Sequence, residues 1–242
     1  MKTAYFDCFS GISGDMCLGA LIDAGVDFDA WRQMLGALPV DGYALRRERV
    51  LRSGISAASV YVDLTSAQPE RGLLEINQII DSGALPDQVK ASGKAVFENL
   101  ARAEAKIHAT TPEKIHFHEV GAVDAIIDVV GTVLGLHMLG VDRVLVSPLP
   151  MGRGFVRCAH GVMPSPAPAA LGILADGQIP VYGVDADMEL VTPTGAALAA
   201  TLSSGCGALP LMRVKQVGYG AGKREYSRPN LLRLIIGEQA DE

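Results

Sequence analysis

The sequence predicts an α/β chain in which helices pack on a mixed sheet, followed by a loop-rich second half. Three observations carry that expectation. Apolar residues fill 49% of the 242 positions while aromatics fill only 5%, so Ala, Val, Leu and Gly dominate and suit close helix-on-sheet packing. The chain opens with a strand, a small-residue turn and a helix in succession. From residue 147 onward, prolines and glycines crowd between short apolar segments. The length is ample for a buried core and admits either one α/β domain or two closely packed lobes, about 1–110 and 111–242.

Taken in order, residues 3–7 form a short buried strand, and the turn 8–14 leads into a helix marked by Leu18, Leu21 and Ile22. Gly25 ends that helix, because glycine enters the left-handed cap conformation without a Cβ clash. A helix is expected near 29–38, strands at 44–52 and 57–64 from their alternation, and an exposed loop over 65–72. Helices over 73–82 and 86–108 follow. Pro112 then disfavours helix in the residue before it, and a strand begins in which Ile115 and Phe117 face one way and His116 and His118 the other. A nearly all-apolar helix spans about 121–139, with a strand at 144–146. The second half gives loops over 147–168, a short helix ending at Gly177, and a strand around 179–182. A helix opened by Thr192-Pro193-Thr194-Gly195 and a last strand at 231–236 complete the chain.

Charge and composition narrow the function. A formal charge of −6, with Lys and Arg scattered apart from Arg46, Arg47 and Arg49 on one solvated strand face, argues against a nucleic-acid partner. Asp7 and Asp15 interrupt the N-terminal stretch, so no secretory signal is read there and a cytoplasmic location is expected. Asp124 and Asp128 break the best apolar run, so no membrane span is expected. The cysteines, Cys8, Cys17, Cys158 and Cys206, follow no metal-ribbon spacing and read as reduced core thiols.

Three constellations carry chemistry. In the first, Ser10, Gly11, Ser13 and Gly14 lie between a strand end and a helix start, where free backbone amides favour a phosphate. Asp7 and Asp15 flank this turn and suit a divalent cation, although Ser13 or Asp15 serves equally well as a helix cap. No nucleophile elbow and no Walker lysine is present. In the second, His116, His118, Glu119 and Asp124, with Asp128 one helical turn further, offer imidazole and carboxylate ligands for nickel, zinc or manganese. The apolar helix buries at least one of its two acids, which then needs a partner. His108 and His137 sit singly on helices and read as ordinary hydrogen-bonded residues. The third gathers Gly152-Arg153-Gly154, Cys158-Ala159-His160-Gly161, Thr192 and Thr194, and Gly218 to Arg224 as flexible backbone carrying Lys223.

In the order Tyr5 to Met16, His116 to Asp124, Ser147 to Gly152, Ala159 to Gly161, Pro166 to Pro168, Glu189 to Gly195 and Gly218 to Gly222, these motifs together resemble the LarC family of nickel-insertion proteins. The likeness runs from Tyr5 to about Glu238. It implies an enzyme that inserts Ni(II) into pyridinium-3,5-bisthiocarboxylic acid mononucleotide, forming carbon–nickel and sulfur–nickel bonds as a lyase-class chelatase or cyclometallase. It further implies CTP consumed with a divalent cation, Mn or Mg, and a nickel-pincer product passed to a lactate racemase-type apoenzyme. Two departures stand out. The stretch 65–72 lacks the histidines that many members carry there, and members usually add a C-terminal domain associated with CTP, so this chain is expected to correspond to the N-terminal part and to need a C-terminal domain or polypeptide. A homo-oligomer is also expected.

On this reading His116, His118, Glu119, Asp124 and His160 hold nickel or its delivery path. Asp7, Ser10, Ser13 and Asp15 line the reacting mononucleotide or a cation, and Gly11, Gly14, Arg153, Thr192, Thr194 and Lys223 contact the nucleotide. A non-catalytic nickel metallochaperone and a metal-dependent phosphohydrolase remain the alternatives. The reading requires that the imidazoles and acids converge on the glycine-lined turn.

Overall fold

The computed structural model describes residues 1–117, 121–158, 161–225 and 228–239. Strand β1 (Lys2–Asp7) leads through a turn into α1 (Gly14–Asp23), and α2 (Phe28–Leu35) follows, with Asp27 accepting from the Ala30 amide as its cap. The hairpin of β2 (Tyr43–Arg52) and β3 (Ile55–Leu64) pairs antiparallel throughout, with Arg46, Arg47 and Arg49 exposed on it as expected. Next come β4 (Arg71–Gly72), α3 (Leu73–Ser82), α4 (Asp87–Ile107), a 3-10 turn at Pro112–Lys114, and β5 (His116–Phe117), which pairs with β4. The second half contains α5 (Val123–Met138), β6 (Arg143–Val146), β7 (Leu149–Met151) and the hairpin of β8 (Phe155–Cys158) with β9 (Gly161–Pro164). It ends with α6 (Pro168–Asp176), β10 (Val181–Gly183), α7 (Pro193–Leu202), β11 (Met212–Ala221) and β12 (Leu231–Gln239).

The main sheet has six strands in the order β2-β3-β11-β12-β1-β6, and it is mixed. β1 runs antiparallel to β12 and parallel to β6, and its four middle residues are buried. The predicted α/β class is therefore the observed one. α5 buries almost its whole circumference, which explains the apolar composition of residues 125–136 on either side of Asp128. Trp31 packs over Gly131, where its indole nitrogen donates to the Gly131 carbonyl at 2.9 Å. The core continues from Leu18 through Ile126 and Leu134 to Leu198 and Leu234, so both ends of the chain feed it. Among the described residues no helix is long and apolar enough to cross a membrane.

Two sequence expectations change. The loop expected over 147–168 contains β7 and the β8–β9 hairpin. The stretch from Gly218, expected as flexible backbone, is largely strand: Gly218 and Gly220 belong to β11 and pair with Leu234 and Leu232. Their lack of a side chain serves packing instead. A Cβ on Gly220 would lie 1.8 Å from the Met16 carbonyl oxygen, and one on Gly218 would lie 2.1 Å from that of Ala20, so α1 can rest directly on the strand.

Candidate functional site

The site begins where two turns distant in sequence are laced together. The Ile12 amide donates to the Leu190 carbonyl at 2.9 Å, and the Thr192 amide donates back to the Ile12 carbonyl at 3.2 Å. Gly11, at φ +102°, is pressed so close to Leu190 that a Cβ would lie 1.9 Å from its carbonyl oxygen. Gly195 approaches Ile12 in the same way, at 2.2 Å. Thr192 caps α7 by accepting from the Gly195 amide at 3.1 Å. The glycines thus let the opening turn and the start of α7 share one platform.

A cavity of about 190 Å³ opens on that platform, lined by Ser13, Asp15, Met188, Glu189, Thr192 and Lys223 among others. Ser13 occupies the N-cap position of α1, but its hydroxyl does not cap the helix. It donates to Asp15 Oδ1, which also accepts from the Met16 amide at 2.9 Å. Asp15 Oδ2 faces Lys223 Nζ at 3.8 Å. The simple capping reading is therefore half right: the Asp15 carboxylate serves the helix start with one oxygen and faces a cation with the other.

Asp128 supplies the electrostatic centre. Its side chain lies against Gly14, where an added Cβ would be 2.4 Å from Asp128 Oδ2. Burial, then the charge of Asp15, and less strongly that of Asp124, push the Asp128 carboxyl well above the ordinary carboxylate range, while Lys223 opposes the shift. Asp124 Oδ1 is buried with no hydrogen-bond partner. Carboxyl groups crowded in this way are stabilised either by a proton or by a cation.

A second cavity of about 460 Å³ is lined by Glu104, His108, Arg157, Met163, Glu189 and Arg224 among others. Glu189 and Arg224 line both cavities, so the two adjoin as neighbouring lobes of one groove wall. His108, read from sequence as an ordinary helix residue, sits in this wall with Nε2 3.4 Å from Glu104. Sequence reasoning gave no role to Glu104, Arg157 or Glu189; only the fold brings α4, β8 and the stretch before α7 together.

Among the described residues, the remaining expected site residues line neither cavity. Asp7 accepts two bonds from Arg233, at 2.9 and 2.5 Å, and does not line the groove. Ser10 and Thr194 are buried. Arg153 is exposed and pairs with Asp185 at 2.6 Å and Asp187 at 3.0 Å. His116 is exposed on β5, while His118, Glu119 and His160 lie outside the described residues. Among the described residues no three His, Cys, Asp or Glu form a preformed metal cluster. Cys8 and Cys17 are free, buried thiols, pushed well up by burial, as expected of core cysteines.

Fold and groove define an α/β protein with a loop-built site that sets carboxylates beside guanidinium groups. The profile described as "Nickel insertion protein" matches residues 4–242, and the chain belongs to that family. It is 50% identical over 242 residues to a protein of Desulfitobacterium hafniense (strain DSM 10664 / DCB-2) named "Pyridinium-3,5-bisthiocarboxylic acid mononucleotide nickel insertion protein", covering 100% of this chain and 60% of that one. A relative from Dictyoglomus thermophilum, also named for nickel insertion, is 47% identical over 238 residues, covering 98% and 61%. The chain thus spans about 60% of the length of these curated relatives. No solved structure matches it.

Proposed function

We propose that this chain supplies the nickel- and substrate-binding part of nickel insertion into pyridinium-3,5-bisthiocarboxylic acid mononucleotide. The observation that carries the reading is the contact of Asp128 with Gly14, which brings the acids of α5 onto the small-residue turn beside Asp15. Nickel would enter between Asp15 and Asp128, displacing Lys223 from the first and a proton from the second. Asp124 and the His116, His118, Glu119 and His160 set would form its delivery path. Hard carboxylate ligands hold nickel less firmly than the thiocarboxylate sulfurs of the substrate, so transfer runs toward the substrate.

Carbon–nickel bond formation needs a proton acceptor. As nickel leaves a carboxylate for the ring carbon flanked by the two thiocarboxylates, the nickel–oxygen and carbon–hydrogen bonds break while nickel–carbon and oxygen–hydrogen bonds form. Asp128, whose surroundings favour its protonated form, is the sink for that proton, directly or through Asp15. The requirement for CTP with Mn or Mg, the C-terminal domain or polypeptide, the lyase class, the lactate racemase-type recipient, a cytoplasmic location and a homo-oligomeric state belong to the same proposal and rest on the family resemblance.

The test mixes this chain, with and without the C-terminal portion of a relative, with Ni(II), CTP, Mg and the pyridinium substrate, and follows product by absorbance and mass. Nickelated product that diminishes with Asp15→Asn supports the proposal. Nickel binding without substrate binding would indicate the chaperone, and phosphate release from simple phosphoesters without nickel would indicate the hydrolase.

A further inference from the structure

We propose that the larger lobe of the groove is a phosphate-and-ribose subsite, in which Arg157 and Arg224 hold the phosphate and so direct the pyridinium ring toward Asp15. This rests on the nickel-insertion reading and adds an orientation and two specificity residues to it.

Size gives the first argument. Clefts that enclose a ligand of this kind measure roughly 300–1,000 Å³. The lobe at Asp15, about 190 Å³, is too small for ring, ribose and phosphate together, whereas the lobe joined to it adds about 460 Å³. With its ring at Asp15, a mononucleotide therefore extends past Glu189 and Arg224 into the larger lobe.

Charge decides which end goes where. The small lobe carries the Asp15 carboxylate, which repels a phosphate dianion and favours the cationic ring and the metal, and Lys223 in that lobe already faces the carboxylate at 3.8 Å. In the larger lobe Glu104 lies 3.4 Å from His108 Nε2, and Glu189 stands at the junction with the small lobe. Arg157 and Arg224 have no carboxylate partner among the described residues, unlike Arg153, which two aspartates occupy. Arg224 is also positioned from behind. The buried Asn230 donates to the Arg224 carbonyl at 2.8 Å and accepts the Gly222 amide through its own carbonyl at 3.0 Å, fixing the backbone while the guanidinium stays available. Ala169, in the first turn of α6, lines the same lobe, and that helix has no side-chain cap, so its dipole adds to the two cations. Paired guanidinium groups match phosphate geometry better than point charges would.

The test measures binding of nicotinic acid mononucleotide, its phosphate-free nucleoside and inorganic phosphate by calorimetry on the full chain. The variants are Arg157→Gln/Arg224→Gln, Arg157→Lys and Asp15→Asn, with Arg213→Gln, exposed on β11, as a matched charge-loss control. Melting temperatures verify that each variant folds. Wild type is expected to prefer the mononucleotide over the nucleoside by about tenfold or more, as charge-assisted bidentate bonds allow. The double variant loses that preference while keeping its affinity for the nucleoside, Arg157→Lys retains part of it, Asp15→Asn weakens both pyridine compounds, and Arg213→Gln retains the preference fully. Equal binding of mononucleotide and nucleoside by wild type, or an unchanged preference in the double variant, overturns the subsite and leaves the nickel reading standing. Binding of neither pyridine compound by wild type overturns both.

Discussion

The carboxylate of Asp128 lies against the backbone of Gly14, so close that a β-carbon on the glycine would sit 2.5 Å from Asp128 Cγ. The sequence singles out both residues but in separate constellations, and this contact joins the first turn of α1 to the middle of α5 and fixes Asp15 beside the part-buried acid. Gly14→Ala is therefore expected to cost about 1–3 kcal/mol, the usual range for overpacking a filled site. Asp128→Ala should recover part of that loss in the double variant, giving a coupling energy in a urea-denaturation cycle. Additive effects would show that the two groups do not share space.

The part-buried Asp128 also sets a pH dependence. Because the Asp128 pKa is raised on folding, its favourable contribution is complete below the ordinary carboxylate range and is lost as pH climbs toward the folded value, since only the unfolded chain gives up its proton there. Asp128→Asn should thus raise the melting temperature near pH ~7, with the gain disappearing near pH ~4. A gain of equal size at both pH values would mean that ionisation is not its source.

Nickel entry at Asp128 should expel its proton. Calorimetry of nickel binding in buffers of different ionisation enthalpy is expected to show proton release that grows as pH is lowered and that Asp128→Asn abolishes. Asp15→Asn should weaken nickel binding as well, while leaving the far-UV spectrum unchanged.

Thiol reactivity gives an independent check of the core. Cys8 and Cys17 are buried with their thiols pushed up by desolvation, whereas Cys206 is only partly buried. Alkylation near pH ~8 followed by peptide mass analysis should therefore modify Cys206 before Cys8 or Cys17, which should react only on unfolding.

Much of the fold was legible because its signals were local. The opening strand, the break at Pro112 and the long apolar helix all follow from periodicity and punctuation within a few residues. β11 was not legible: its exposed half, MRVKQV, carries alternating charge, and its two glycines look like loop until α1 is seen resting on them. The site divides in the same way. Asp15, Ser13, Thr192 and Lys223 were singled out by sequence and do line one cavity. Asp7 was singled out with them, but Arg233, 226 residues away, engages its carboxylate. Arg157 and Glu104 carried no local signal, and Glu189 was legible only as the start of the Glu189–Gly195 motif, because their common wall exists only after α4, the β8–β9 hairpin and the turn before α7 have packed.

Diffraction at the nickel absorption edge, from crystals soaked with Ni(II) and a pyridinium mononucleotide, tests the central claim most directly. An anomalous peak in contact with the Asp15 or Asp128 carboxylate, with the nucleotide extending into the larger lobe, is the expected result. A peak held only by the exposed His116 or another surface side chain, with no nickel near Asp15, would contradict it.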